Sequence, residues 1–175
     1  NGYKEGSFFT PSFITSYMCA QSIRKIVVQK FNEANPKWQC ETIADIEYEI
    51  HREIRQSRSS SQDSQDRQSI INKHIATLKS IKICDPAVGS GHFLVSALNA
   101  MIKIYDALGL IANIASGNVK IIGDEIIVRE KNGLIFTYQK PSISNENHAI
   151  QKALFNLKKS IIENNLFGVD INPNS

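Results

Sequence analysis

The residues that carry the most chemistry in this chain are Asp85-Pro86-Ala87-Val88-Gly89-Ser90-Gly91, which an apolar run from Ile81 to Cys84 enters directly and an amphipathic segment leaves at once. That order predicts strand, tight turn, helix. Gly89 and Gly91 have no Cβ, so the backbone there can take positive φ, and a ligand can approach main-chain N–H groups that a side chain would screen. Those N–H groups open a helix, where they have no internal partner and suit a carboxylate or a phosphate. Neither phosphate fingerprint is present, because the turn has no Gly-x-Gly-x-x-Gly run and no Gly-Lys-Ser/Thr ending. An acid, Asp85, stands instead at the carboxyl edge of the strand. A carboxylate attracts a sulfonium or an amine and repels a pyrophosphate. The turn therefore favours S-adenosylmethionine over a dinucleotide.

Asp85 to Leu94 reads Asp-Pro-Ala-Val-Gly-Ser-Gly-His-Phe-Leu. It closely resembles the cofactor loop of the N6-adenine DNA methyltransferases, whose usual form is Asp-Pro-Ala-Cys-Gly-Ser-Gly, a small residue, then Phe-Leu. Val88 stands where Cys is commonest. Upstream, Gly6-Ser7-Phe8-Phe9-Thr10-Pro11 is similar to the element that closes over the methionine end of the cofactor in that family. Downstream, Asn165-Leu166-Phe167-Gly168-Val169-Asp170-Ile171-Asn172-Pro173 resembles its second strand, whose terminal acid binds the ribose hydroxyls. The three segments stand in the order of the family's gamma arrangement, as in the type IIG restriction–modification enzymes, and together span nearly the whole chain.

The resemblance implies an α/β fold: part of an S-adenosylmethionine-dependent methyltransferase, Rossmann-like, with N-terminal helices and a β-hairpin insertion. It implies S-adenosyl-L-methionine as cofactor, with Phe9, Thr10 and Pro11 at the methionine moiety and Asp85 at its ammonium. The turn of Pro86, Ala87, Gly89, Ser90 and Gly91, with Phe93 behind it, would lie along the cofactor, and Asp170 with Ile171 would take the ribose side. Double-stranded DNA is the implied substrate of the complete enzyme. The family's Asn/Asp/Ser-Pro-Pro-Tyr/Phe tetrapeptide does not occur. Asn172-Pro173-Asn174-Ser175 lacks the second proline and the aromatic. The chain is accordingly expected to be a cofactor-binding fragment of a longer protein, inactive alone and with no catalytic residue of its own. The alternatives are a methyltransferase acting on protein glutamine or RNA, which shares the turn, a nicotinamide or flavin oxidoreductase, which the missing third glycine disfavours, and a fragment that binds nothing unaided.

Composition sets the frame. The 175 residues are 42% hydrophobic and 21% charged, the range of an ordinary one-domain globular chain. A net charge of +3 permits nucleic-acid contact without arguing for it. Cys19, Cys40 and Cys84 are odd in number and far apart, so neither a disulfide framework nor a zinc site is indicated, which fits a reducing cytoplasm. No apolar run approaches the roughly 18 residues a bilayer span needs, and no membrane association is expected.

Two segments must position the turn. Over 1–80 the chain reads as helices. The first runs from Ser12 to about Phe31, capped by Ser12 or Thr10, with Phe13, Tyr17, Ala20, Arg24, Val27 and Phe31 on one side, a stripe that only Arg24 spoils, and Asn35-Pro36 ending it. The second, Glu41 to Gln56, aligns Ile43, Ile46, Ile50 and Ile54, with its charges as a solvated face. Ser57 to Gln68 holds no apolar residue and reads as a mobile surface loop. A short helix with Ile70, Ile71, His74, Ile75 and Leu78 then leads to the strand, His74 being a packed rather than a catalytic histidine.

Over 81–175 the strand-turn-helix unit reads as the start of a doubly wound sheet, whose ligands sit beyond the carboxyl ends of strands. The helix carries Phe93, Leu94, Ala97, Leu98, Met101, Ile102 and Tyr105 as its apolar stripe. An insertion at about 117–140 follows, where Glu125 to Glu130 and Leu134 to Gln139 flank Lys131-Asn132-Gly133 as a hairpin and Val119 to Ile122 supplies a third strand. A helix from Ala149 to Asn164 returns the chain to Leu166–Asp170, apolar up to its terminal acid, as suits a buried parallel strand.

Overall fold

Isoleucines at four-residue spacing set the first packing decision. Ile46, Ile50 and Ile54 are buried along one face of a helix, α2 (Ile43–Ser57), and a capping box starts it: the Asp45 amide donates to Thr42 Oγ1 at 3.2 Å while the Thr42 amide donates to Asp45 Oδ2 at 2.8 Å. A computed structural model of the chain describes residues 10–57, 63–112, 114–122, 125–130, 132–140 and 146–170. The other elements are α1 (Ser12–Ala34), α3 (Asp63–Lys79), β1 (Ile83–Asp85), α4 (His92–Ala107), β2 (Val119–Ile122), β3 (Glu125–Val128), α5 (Glu146–Asn165) and β4 (Leu166–Gly168).

α1 ends where its sequence requires. Asn35 bonds back to the Phe31 carbonyl through both its amide and its side chain, and Pro36 cannot extend the ladder. Its start and its inward face differ from the sequence reading. Pro11 occupies the N-cap position, and neither Ser12 nor Thr10 caps the helix. The buried face is Thr15, Cys19, Ile23, Val27 and Phe31, whereas Phe13 and Tyr17 are 73% and 66% exposed. α3 also departs from expectation, because helix begins at Asp63 and takes in six of the residues read as loop, 63–68. A polar helix end needs no apolar surface of its own once Ile70, Ile71 and Leu78 anchor the remainder.

β1 and β4 pair in parallel, with Ile83, Cys84 and Asp85 opposite Leu166, Phe167 and Gly168. α4, β2, β3 and α5 all lie between these two strands in the chain, so the connection is a long crossover of the kind that parallel pairing demands. Asn165, fully buried at the end of α5, donates through Nδ2 to the Leu78 and Ile81 carbonyls at 2.8 and 2.7 Å. That single side chain ties the entrance of β1 to the entrance of β4. β2 and β3 form a separate antiparallel pair, Val119 opposite Val128 and Ile122 opposite Glu125. The hairpin read around Asn132-Gly133 survives as a bridge between Arg129 and Ile135, so the regular ladder lies one strand earlier than its strongest turn signal.

The core is shared by helices and strands. Val27, Phe31, Ile46, Ile50, Leu78, Met101, Ile102 and Ile161 are all buried to within 1%, each worth about 1.5 to 3 kcal/mol against exposure. α4 is central: it packs against α1, α2, α5 and both strand pairs. No helix among the described residues is long and apolar enough to cross a membrane.

Candidate functional site

The carboxyl end of β1 is where the sequence concentrates its chemistry, and three local features shape it. First, the Ala87 amide donates to Asp85 Oδ1 at 3.0 Å, so the aspartate folds its own turn and stays half-buried at the strand tip. Second, Gly89 and Gly91 take φ of +48° and +79°, and a Cβ at Gly91 would meet no atom within 4 Å, so the space over that position is open. Third, Gly91 is the N-cap of α4. The Val95 amide, bonded to the Gly91 carbonyl at 3.0 Å, is the first to close a helical turn, which leaves the Phe93 and Leu94 amides ahead of it as outward donors. Positive potential from the helix terminus falls on the same spot.

β4 completes the floor of the turn. Beyond its last paired residue, the Val169 amide donates to the Asp85 carbonyl at 2.9 Å and the Val88 amide donates to the Val169 carbonyl at 3.0 Å. Asp170 follows directly and is exposed, so two carboxylates stand at the carboxyl ends of neighbouring parallel strands. Gly168 makes this fit possible. A Cβ there would lie 2.8 Å from Val88 Cγ2 and 3.2 Å from Leu94 Cδ1, closer than side chains pack. The turn that follows β1 therefore rests directly on the backbone of β4.

The start of α1 reaches the same region from above. Thr15 Oγ1 lies 2.8 Å from Ser96 Oγ and also donates to the Ser12 carbonyl at 3.0 Å, and Cys19 Sγ donates to the Phe93 carbonyl at 3.7 Å. Burial first, and then the negative charge of Asp85, pushes the Cys19 thiol up, so it stays a neutral donor near that aspartate. Pro11 accepts the first two amide bonds of α1 and lies one turn from Thr15. Thr10 and Pro11 precede the Thr15–Ser96 contact by about one helical turn and are both exposed.

Of the residues singled out from the sequence, Asp85, Pro86, Ala87, Gly89, Ser90, Gly91 and Asp170 gather at two adjacent strand tips. Phe93 is half-buried one residue into α4 and joins the core edge. Phe9 and Ile171 lie outside the described residues. Sequence reading passed over Thr15, Ser96 and Gly168. The available signal was Ser96, a hydroxyl within the apolar stripe of α4. Among the described residues no cluster of histidine, cysteine and carboxylate side chains suits a metal ion. A cavity of about 560 Å³ lies elsewhere, between α1, α4 and the start of α2. Size alone does not make it the chemical centre, since none of the strand-tip groups lines it.

No family model matches the chain, and no solved structure matches it. One curated protein is similar, the "Putative type II restriction enzyme and methyltransferase" of Methanocaldococcus jannaschii, 39% identical over 104 residues. That stretch is 57% of this chain and 8% of the relative, so the similarity covers a small part of a far longer protein.

Proposed function

We propose that this chain binds S-adenosyl-L-methionine and belongs to a site-specific adenine-N6 DNA methyltransferase of a restriction–modification system. The observation that carries the reading is the pairing of a positive-φ glycine turn at the tip of β1 with a second acid, Asp170, just beyond the tip of the adjacent parallel strand. The similarity to the restriction enzyme and methyltransferase of M. jannaschii supports it.

The residues present fit that cofactor. The open space over Gly91 admits an atom that a Cβ would displace, and the first amides of α4 can donate to the amino-acid carboxylate. Asp85 offers a negative charge to the ammonium, and Asp170 can accept from the two ribose hydroxyls at once. Thr10 and Pro11 are assigned to the methionine end, as the sequence resemblance implies. When bound, the cofactor supplies an electrophilic methyl group. The chain's own part is to hold that group at the strand tips with an anionic surround that matches its positive charge. Double-stranded DNA is the proposed substrate of the whole protein, with the target adenine leaving the base stack to reach the methyl group.

Titration calorimetry with S-adenosyl-L-methionine, its demethylated product and NAD tests the reading. Binding of the first two and not of NAD is expected. Asp170→Ala removes two charge-assisted hydrogen bonds of roughly 1.5 to 3 kcal/mol each, so affinity should fall well over tenfold. NAD binding at equal affinity, or an unaffected Asp170→Ala variant, would reject the assignment.

A further inference from the structure

Two cavities follow one another along α1 and α4. One, of about 320 Å³, begins at Ser12 and Ser96 in the first turns of the two helices, and the other, of about 560 Å³, runs on to Val28 and Ala107. Ala20, Ala100 and Lys103 line both, so they form one trough, half open to solvent. At 1.5 Å per residue it follows α1 for roughly 24 Å.

The trough has an aliphatic floor and a basic rim. Ile23, Ile43 and Ile104 reach its base, and Ala20, Ala100 and Ala107 end at Cβ, which lets another backbone approach closely. Arg24 and Lys25 on α1 face Lys103 on α4 across the opening; all three are exposed and enter no ion pair among the described residues. Glu41, at the α2 end, is the acid that lines it. A small-molecule site would enclose most of its ligand. Single-stranded nucleic acid would need aromatic platforms for its bases, and only Phe13, at one end, is aromatic. Apolar floor, small residues and cationic rim together match one occupant, a helix with an apolar stripe and acidic flanks.

We propose that the trough between α1 and α4 is a docking groove for an acidic amphipathic helix of a protein partner, roughly four turns long. The helix seats its apolar stripe over Ile23 and Ile104 and sets its carboxylates against Arg24, Lys25 and Lys103. The proposal is independent of the cofactor reading, because no strand-tip group takes part.

A synthetic helical peptide with leucines at i, i+3, i+4 and i+7 and glutamates on both flanks, titrated into the full 175-residue chain, tests it. Saturable methyl shifts at Ile23, Ile104, Ala20 and Ala100 are expected. Arg24→Glu combined with Lys103→Glu should weaken binding at least tenfold at an unchanged melting temperature, and a lysine-flanked version of the peptide should then bind that variant better than the native chain. Shifts outside the trough, no saturation, or undiminished affinity in the double variant would overturn the proposal. So would a DNA oligonucleotide that moves the same methyl groups at equal or higher affinity, which would make the trough a nucleic-acid track.

Discussion

Thr15 Oγ1 and Ser96 Oγ lie 2.8 Å apart with both residues buried, joining two helices from positions 81 residues apart in the chain. Thr15 sits one turn beyond Pro11 and Ser96 one turn beyond Gly91, so the bond fixes the start of α1 relative to the glycine turn. Removing one hydroxyl breaks this bond but leaves each partner a second one, Thr15 to the Ser12 carbonyl at 3.0 Å and Ser96 to Ser16 Oγ at 3.5 Å. The loss should therefore be that of one net hydrogen bond, about 0.5 to 1.5 kcal/mol. Thr15→Val and Ser96→Ala should each lower the melting temperature. The double variant should lose less than the two combined. Chemical denaturation of all four proteins measures the coupling, and strict additivity would show that the two hydroxyls do not act as a pair.

Gly168 gives a sharper probe of the strand-tip site, since it has no left-handed backbone to protect and its constraint is purely one of space. Its replacement by alanine drives a methyl into Val88 Cγ2 at 2.8 Å. Overpacking of this kind costs about 1 to 3 kcal/mol, and the relief open to the protein is to lift the turn away from β4. Gly168→Ala should therefore weaken S-adenosyl-L-methionine binding at least tenfold. Pairing it with Val88→Ala removes the 2.8 Å contact and leaves the tighter-than-usual ones to the Cβ at 88 and to Leu94 Cδ1, at 3.1 and 3.2 Å, so it should restore part of the affinity. Calorimetry on the single and double variants checks both steps, and a single variant that binds normally would show that the turn does not depend on β4.

How much of this was legible beforehand depends on where the partner of each residue lies. The face of α2 could be read directly, because Ile46, Ile50 and Ile54 recur at helical spacing and most of the other positions are polar. α1 could not. Its first half offers two competing faces, one with Phe13 and Tyr17 and one with Thr15 and Cys19, and hydropathy favours the wrong one. The polar face goes inward because Ser96 and the Phe93 carbonyl supply its hydrogen bonds, and nothing local in the sequence reports those groups. Glycine positions divide the same way: Gly89 and Gly91 announce a turn by their spacing, while the need for Gly168 appears only once Val88 is placed on top of it.

His74 links stability to pH. Its ring is fully buried, stacks 5.6 Å from the Phe31 ring, lies tilted at 5.5 Å from Trp38, and places Nε2 2.9 Å from Glu53 Oε2, while Nδ1 has no partner among the described residues. Burial pushes the imidazole down from its usual value more strongly than Glu53 raises it, and Lys73, paired with Glu53, adds to the downward push. The unfolded chain therefore binds a proton first as pH falls. Stability should hold above about pH 6.5, the ordinary histidine value, and decline below it until the folded-state ring also titrates. Denaturant melts between neutral and mildly acidic pH should show that decline, reduced in His74→Phe, and an imidazole that titrates at or above its ordinary value by NMR would contradict it.

Asp106 separates a carboxylate's charge from its hydrogen bonds. Buried in the last turn of α4, it accepts the Val119 amide at 3.3 Å and so holds the chain's entry into β2. Burial, opposed by the backbone amides of 117–119, pushes its carboxyl above the usual range. A raised acid pKa means that the ionised form is disfavoured by folding, so the stability linked to this group is greatest at low pH and is lost as pH rises through the folded-state value. Asp106→Asn keeps an acceptor and discards the charge. Its stability should equal or exceed that of the native chain at neutral pH, whereas Asp106→Ala leaves the Val119 amide unpaired and should cost about 1 to 3 kcal/mol. Equal losses in both variants by chemical denaturation would mean that the charge itself, and not the acceptor, anchors β2.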